Sequence, residues 1–366
     1  MSGNLRGAIV LVLSCTGWGV LPASAAPAGY SLSEPYGVDG GVSALAYASD
    51  GTLYLSEMGS STLTVISPGG ARGALPILGA SLVSVGGMCV TPDGAALLIT
   101  DNKSWGDGQG DLYAVDVSTG QAATLIAGVD AIDDVAVRSS GHVFITDAAS
   151  VGTGAVCQVI YDPVGQTWQA TPVVTGLDYA AGVGFDPAGN LIYQQATASF
   201  AGEVYRLAIA ETGGDLSFGG SELLAGGLSA AFDLAVDSEG DVFVTGSGGL
   251  FELDRDAGGV FTGTASLFDN NGNIWQFATE VAFVAGADAF EPYAGFDAGH
   301  LTYVPEFGSQ ALRDITPVPA PATLALLSAG AAIASGSRRR RMRPMQTSDA
   351  AGTRSVPAET TRRSGT

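Results

Sequence analysis

Gly141-His-Val-Phe-Ile-Thr-Asp147 decides the architecture, because the chain writes the same phrase six times. The other copies are Gly51-Thr-Leu-Tyr-Leu-Ser-Glu57, Gly94-Ala-Ala-Leu-Leu-Ile-Thr-Asp101, Gly189-Asn-Leu-Ile-Tyr-Gln-Gln195, Gly240-Asp-Val-Phe-Val-Thr-Gly246 and Gly299-His-Leu-Thr-Tyr-Val-Pro-Glu306. Each is a turn glycine followed by a short aliphatic and aromatic run that ends near a polar or acidic residue. Successive glycines lie 43, 47, 48, 51 and 59 residues apart. A strand-built unit of that length is the period of a propeller blade.

Each repeat supplies further strands around the phrase. An apolar run precedes the turn glycine (Ala44–Tyr47, Val135–Val137, Leu234–Val236), and another follows the phrase (Leu63–Ile66, Leu112–Val115, Val156–Val159, Val204–Leu207, Leu250–Leu253). These runs are rich in Val, Ile, Leu, Phe and Tyr and are broken by Gly, Asp and Asn. Several are apolar on both faces, as sheets flanked by sheets require. The expected fold is therefore an all-β, six-bladed propeller over residues 26–316. A two-sheet sandwich is the alternative, but it leaves a period above 40 residues unexplained. The sixth repeat has an inner strand at Val281–Phe283, an insertion around Gly286–Gly295, then Leu301–Val304 and Ala311–Leu312, with no outer strand of its own. Tyr30–Tyr36 is expected to close the ring by completing that blade.

Charge is strongly partitioned. The middle of the chain holds six Lys and Arg against 34 Asp and Glu, while eight of the 15 basic residues lie from Arg338 onward. Such a surface repels phosphate backbones, so nucleic acid is not the expected partner. It suits solubility or cation binding. Cys15 falls in the leading segment. Cys89, on an inner strand, and Cys157, on a third strand, are placed too far apart for a disulfide and read as unpaired thiols.

The two ends read as addresses. Residues 1–25 combine Arg6, an apolar stretch from Ala8 to Val20 and the small residues Ala23-Ser24-Ala25, the three parts of a secretory signal helix with cleavage between Ala25 and Ala26. Near the other end, Val318-Pro319-Ala320-Pro321 leads into an Ala- and Gly-rich apolar run and then Arg338-Arg339-Arg340-Arg341. This order of proline motif, short transmembrane helix and arginine cluster (residues 317–341) resembles the PEP-CTERM sorting signal of bacteria that make exopolysaccharide. The resemblance implies export machinery and an exosortase-type sorting peptidase as partners, insertion in the inner membrane, and delivery to the cell surface or extracellular matrix. Ala320 departs from the glutamate usual in that motif. The run from Pro321 to Ser337 is shorter than the roughly 20 residues of a full span. A polar tail, 342–366, continues past the arginines and is expected to be disordered.

The blade phrases, most clearly Asp50-Gly51-Thr-Leu-Tyr-Leu and Pro92-Asp93-Gly94, resemble NHL-type and gluconolactonase-like six-bladed propellers. In the latter, a divalent metal sits in the central channel on acidic and amide side chains. Seven residues before each turn glycine, this chain has Ala44, Gly87, Asp134, Gly182 and Asp233, with Glu280 opening the equivalent sixth strand. Asp134, Asp233 and Glu280 are the candidate channel ligands, and Ca2+ is the candidate cation. The alternative is that these acids face solvent or bind backbone N–H groups at the rim. Asp101, Asp107 and Asp111 form a second oxygen-rich loop that could hold Ca2+, although Lys103 intrudes and the EF-hand spacing is missing. Phe268-Asp-Asn-Asn-Gly-Asn273 is similar; turn chemistry explains both loops as well.

Nucleophilic catalysis finds little support. His142 and His300 each follow a turn glycine, a position read as solvated, and there is no Gly-x-Ser-x-Gly elbow. Trp105, Trp168 and Trp275 are candidate sugar-stacking platforms or interblade packing residues. The sequence reads as an exported, surface-anchored propeller that binds or structures the envelope or exopolysaccharide matrix. A gluconolactonase-like metal-dependent hydrolase and a carbohydrate-binding propeller are the alternatives.

Overall fold

A computed structural model describes residues 27–34, 38, 40–103, 108–148, 151–270, 278–285, 290–291, 299–306 and 309–318, all within the compact unit Met1–Pro319. Every regular element among them is a strand. After β1 (Tyr30–Ser33) come β2 (Val42–Tyr47), β3 (Leu53–Glu57), β4 (Thr62–Ile66) and β5 (Arg72–Pro76), which form one antiparallel meander. The next is β6 (Val85–Val90), β7 (Ala96–Asp101), β8 (Gly110–Asp116) and β9 (Ala122–Val129), and then β10 (Ile132–Val137), β11 (Val143–Asp147), β12 (Gly154–Asp162) and β13 (Thr167–Leu177).

An eight-stranded sheet follows. It consists of β14 (Tyr179–Phe185), β15 (Leu191–Ala196), β16 (Ala201–Thr212) and β17 (Asp215–Ser229), then β18 (Leu234–Val236), β19 (Val242–Gly246), β20 (Gly249–Arg255) and β21 (Phe261–Asn270). These are two meanders of the same kind, joined at their outer edges by a single parallel pair, Ala225 with Gly263. The last sheet is β22 (Val281–Ala285), β23 (Gly299–Tyr303) and β24 (Arg313–Pro317), completed by β1.

The innermost strands neighbour one another in turn, β2 to β6, β10, β14, β18 and β22, and β22 returns to β2. The chain is thus an all-β propeller with a central channel. Apolar layers fill the gaps between meanders. Leu63 packs with Met88 and Leu97, Leu112 with Ile145 and Cys157, and Phe144 with Leu191 and Tyr193. Ile192 packs with Val242, Phe243 with Leu301, and Leu55 with Val304. This is why strands such as β7 and β19 are apolar along both faces.

The repeated phrase opens on glycine because its turn needs a left-handed residue. Gly51, Gly94, Gly141, Gly189, Gly240 and Gly299 all have φ between 69° and 89°. The phrase ends on a polar residue because that side chain ties down the loop entering the same meander. Glu57 Oε2 accepts from Gly40 N at 2.7 Å, Asp147 Oδ1 from Ala131 N at 3.1 Å, and Gln195 Oε1 from Asp178 N at 3.0 Å. Asp101, fully buried, accepts from Ser84 N at 2.7 Å and Val83 N at 3.2 Å. Replacing Asp101 with Ala leaves those N–H groups unpaired and should cost about 2–3 kcal/mol in urea unfolding; Asp101→Asn should recover part of it.

The ring closes through β1, whose Tyr30 to Ser33 pair antiparallel with Pro317 to Asp314. The third strand of this sheet runs over Arg313–Pro317, two residues beyond the Ala311–Leu312 expected from hydropathy. Its charged residues are half-buried against partners: Arg313 Nη1 lies 3.1 Å from Asp269 Oδ2, and Thr302 Oγ1 donates to Asp314 at 2.8 Å. Cys89 lies on β6 and Cys157 on β12, both as free thiols. Burial, and secondarily Asp147, pushes the Cys157 thiol up to about 11, and burial raises Cys89 further, so neither is a ready nucleophile.

Candidate functional site at the channel mouth

Each innermost strand begins at one end of the ring, and there most of them carry a bulge. The ladders skip between Val42 and Ala44, Val85 and Met88, Ile132 and Val135, and Ala180 and Val183. A bulge leaves an N–H without a ladder partner. In two of these the Thr near the end of the phrase supplies one, Thr100 Oγ1 accepting from Gly87 N (2.8 Å) and Thr146 Oγ1 from Asp134 N (2.9 Å), and Thr245 Oγ1 likewise accepts from Asp233 N (3.0 Å) just before β18. The same hydroxyls reach the next meander, Thr100 donating to Asp133 O and Thr245 to Thr279 O.

Asp134 sits on the bulge of β10 and Asp233 directly precedes β18; both are half-buried, and each carboxylate spans two meanders. Asp134 Oδ1 accepts from Val135 N at 2.7 Å and its Oδ2 from Val183 N, on β14, at 2.8 Å. Asp233 Oδ1 accepts from Leu234 N at 2.7 Å and its Oδ2 from Val281 N, on β22, at 2.8 Å. The glycines between them in the sequence column make room for this. A Cβ on Gly87 would lie 2.1 Å from Asp134 Oδ1, and one on Gly182 2.9 Å from the Asp233 Cα. Glu280 shares the cluster, and so does Asp133, which sequence reasoning passed over.

The four acids disfavour one another's charge. Burial, then Asp134, pushes Asp133 up to about 7. Burial pushes Asp134 up to about 7 despite its two N–H donors. Burial, then the other carboxylates, holds Asp233 and Glu280 well above the usual range. Among the described residues, no hydrogen bond to the carboxyl of Asp133 or Glu280 is found, whereas the oxygens of Asp134 and Asp233 are committed to backbone. At neutral pH the mouth therefore holds acidic groups in both protonation states, as acid–base chemistry requires.

Both Asp134 and Asp233 use each oxygen on a backbone donor, and among the described residues no three His, Cys, Asp or Glu side chains converge to hold a metal ion. A divalent cation wanting six or more oxygens does not fit this set as placed. In the other candidate loop, Asp101 is occupied by the N–H groups above, and Asp111 binds Lys103 and accepts from Tyr113 Oη at 2.8 Å. Asp107 lies outside the described residues, as do Trp105 and Trp275. Trp168 is 41% exposed on β13 and packs against Tyr161 with ring centroids 5.2 Å apart.

The two histidines are not solvated turn residues. Both are half-buried and lean on third strands, His142 Nε2 lying 3.8 Å from Glu211 and His300 Nδ1 3.5 Å from Asp314. The side chain following the turn glycine points into the neighbouring strand rather than out to water. Of the sorting motif only Val318 is described; its N–H donates to Gly29 O at 2.8 Å, so the chain leaves the sheet beside β1. Pro319, Ala320, Pro321, Arg338–Arg341 and the Ala25–Ala26 cleavage site lie outside the described residues. Among the described residues, no helix is long and apolar enough to cross a membrane.

By sequence the chain matches no protein-family model and no curated protein. Its fold is similar to that of solved structures. A gluconolactonase from Xanthomonas campestris aligns at 16% identity over 81% of this chain and 98% of its own, with a TM-score of 0.55. The PQQ-bound aldose sugar dehydrogenase of Streptomyces coelicolor aligns at 14% identity over 80% and 99%, with a TM-score of 0.52. A carbohydrate-active enzyme of family AA12 from Trichoderma reesei aligns at 11% identity over 83% and 100%, with a TM-score of 0.57. At these identities the likeness concerns the propeller fold.

Proposed function

We propose that this chain is a six-bladed propeller of the gluconolactonase type, with β14–β17 and β18–β21 counted as separate blades, and that it hydrolyses a small sugar lactone or related ester at the channel mouth. The observation that carries this reading is the half-buried cluster of Asp133, Asp134, Asp233 and Glu280, in which burial and mutual repulsion raise all four above the usual carboxylate range. Asp133, ionised in part at pH 7, takes a proton from water as the water oxygen attacks the lactone carbonyl carbon. The ring C–O bond then breaks, and the leaving oxygen takes its proton from Glu280, leaving a hydroxy acid. Asp134 and Asp233, each accepting from two inner strands, fix the strand starts that position the pair. No step runs through a metal, because the donors do not converge.

The test is hydrolysis of δ-lactones by the chain without its leading segment. Activity should rise with pH through about 7 as Asp133 ionises. Asp133→Asn should lower kcat/KM at least 100-fold, within the usual range for a lost general base. Full activity in both Asp133→Asn and Glu280→Gln would discard this mechanism.

The reading as an exported, surface-anchored protein of the envelope or exopolysaccharide matrix rests on the sequence at the two ends. Mass spectrometry of the native protein should find a first residue at Ala26 and a last residue near the Val318–Pro321 motif. Intact ends would discard it.

A further inference from the structure

Apolar layers separate the meanders, and one of them differs from the rest. Tyr113 packs in the layer between β2–β5 and β6–β9, and Phe144 and Tyr193 in that between β10–β13 and β14–β17. Phe251 and Phe243 serve the next two layers, and Tyr47 the one where the ring closes. The layer between β6–β9 and β10–β13 is built from Leu, Ile, Val, Ala and Cys, and among the described residues none packed in it is aromatic.

That layer is open at one end. A cleft of about 390 Å3 lies there, walled by Pro92, Ala96 and Leu98 on one side and by Val137 and Val143 on the other. Its volume falls within the roughly 300–1,000 Å3 of small-molecule sites. These residues flank the turn glycines Gly94 and Gly141, so the cleft belongs to the end of the ring away from the channel mouth, where the inner strands begin. Strand alternation places an exposed ring on the same face of β10–β13: Tyr161, 46% exposed, is two residues beyond the packed Val159 on β12.

The polar side chains at the cleft carry only oxygen. Asp93 Oδ1 accepts from Thr91 Oγ1 at 2.6 Å and from Ala95 N at 3.1 Å, and these bonds, Thr91 first, hold its carboxyl below the usual range. Among the described residues, no donor reaches Asp93 Oδ2. No Lys, Arg or His lines the cleft. Arg138 touches its rim at Ser140 Oγ (3.2 Å), but it also donates to Gly189 O at 3.0 Å and is ion-paired with Glu211, both on the next meander. An anion therefore finds no free cation here. A sugar would set several hydroxyls against aliphatic walls, where they lose their water without gaining partners. A flat apolar ring suits those walls, and one donor on it meets the ionised Asp93 in a charge-assisted bond.

We propose that this cleft binds an aromatic ring bearing an N–H or O–H donor, which takes the place that the chain's own rings take in the other layers. The ring lies between Ala96 and Leu98 on one wall and Val137 and Val143 on the other, with its donor on Asp93 Oδ2. The site is separate from the channel mouth and independent of the lactone reading.

The experiment is calorimetric titration of the full chain at pH 7 with indole, 1-methylindole, indole-3-acetate and cellobiose. Indole should bind at least about fivefold more tightly than 1-methylindole, which lacks the donor. Indole-3-acetate and cellobiose should not compete with it. Asp93→Asn keeps an oxygen for Ala95 N and turns an amide N–H toward the ring. It should reduce the affinity for indole to that for 1-methylindole at an unchanged melting temperature. Ala96→Phe supplies the missing ring from β7 and should abolish indole binding without lowering the melting temperature, since strands accept aromatic residues. If Ala96→Phe melts lower, Asp93→Asn alone decides. No binding of indole, equal affinity for indole and 1-methylindole, or displacement of indole by cellobiose would overturn the proposal. So would an Asp93→Asn variant that keeps the preference for indole.

Discussion

A chain lacking Pro27–Glu34 should lose several kcal/mol of stability and melt about 5–10 °C lower. The deletion removes β1, and with it the antiparallel pairing of Tyr30 through Ser33 against β24. It also removes the Tyr30 ring, which sits 5.1 Å from Phe268 and 5.3 Å from Phe290 and whose hydroxyl donates to Phe290 O at 3.2 Å. The remaining sheet is left with β24 as a bare edge carrying Arg313 and Asp314. Differential scanning calorimetry of the two chains measures the effect. An unchanged melt would mean that the ring is held by its apolar interfaces alone and that β1 is ornament. A synthetic peptide of residues 27–34 should restore part of the loss, because the strand contributes through pairing that needs no covalent link.

The second large effect concerns Asp134 and Asp233, where stability should depend on pH. In the fold, Asp133 and Asp134 hold their protons up to about pH 7, against an ordinary aspartate value of 3.8. Between those limits the native state binds more protons than the unfolded chain, so stability falls as pH rises through 7. The difference is worth at most about 4 kcal/mol per group, and water at the mouth reduces it to about 1–2 kcal/mol. The melting temperature should therefore be higher at pH 5.5 than at pH 8.5, with the gap narrowed in Asp133→Asn. Asp134→Ala and Asp233→Ala each strip the acceptors from two N–H groups, one belonging to the next blade. Each should cost about 2–4 kcal/mol at pH 5.5. The cost should be smaller at pH 8.5, where the substitution also removes a repelled charge. A pH-independent melt in the wild-type chain would show that the four carboxylates do not interact.

Much of the fold could be read from the phrase at Gly141 because two local rules coincide there: a left-handed turn that favours glycine, and strands buried on both faces. Those rules act within seven residues and leave a mark in composition. The strand Arg313–Pro317 left no such mark, since its register depends on Asp269 and Thr302, distant partners that sequence does not display. The candidate site was half legible. Asp134, Asp233 and Glu280 stood out in the aligned column, and the glycines beside them read as missing ligands. They are spaces that the neighbouring carboxylates occupy. Asp133 was passed over because burial, not residue type, makes it important. Asp101 was read as a candidate cation ligand, whereas its oxygens serve the loop beside it.

The pairing of Tyr30 with Pro317 joins residues from opposite ends of the described chain. The earliest strand to be made is thus the last to find its partner. Until β24 exists, every earlier blade belongs to an open arc with sticky margins, and no amount of local order can shut it. Such long-range pairing slows the final step of folding. It also leaves the unfinished arc exposed to its own copies while it waits, so the early strand acts as a timer that runs until the whole propeller has been delivered.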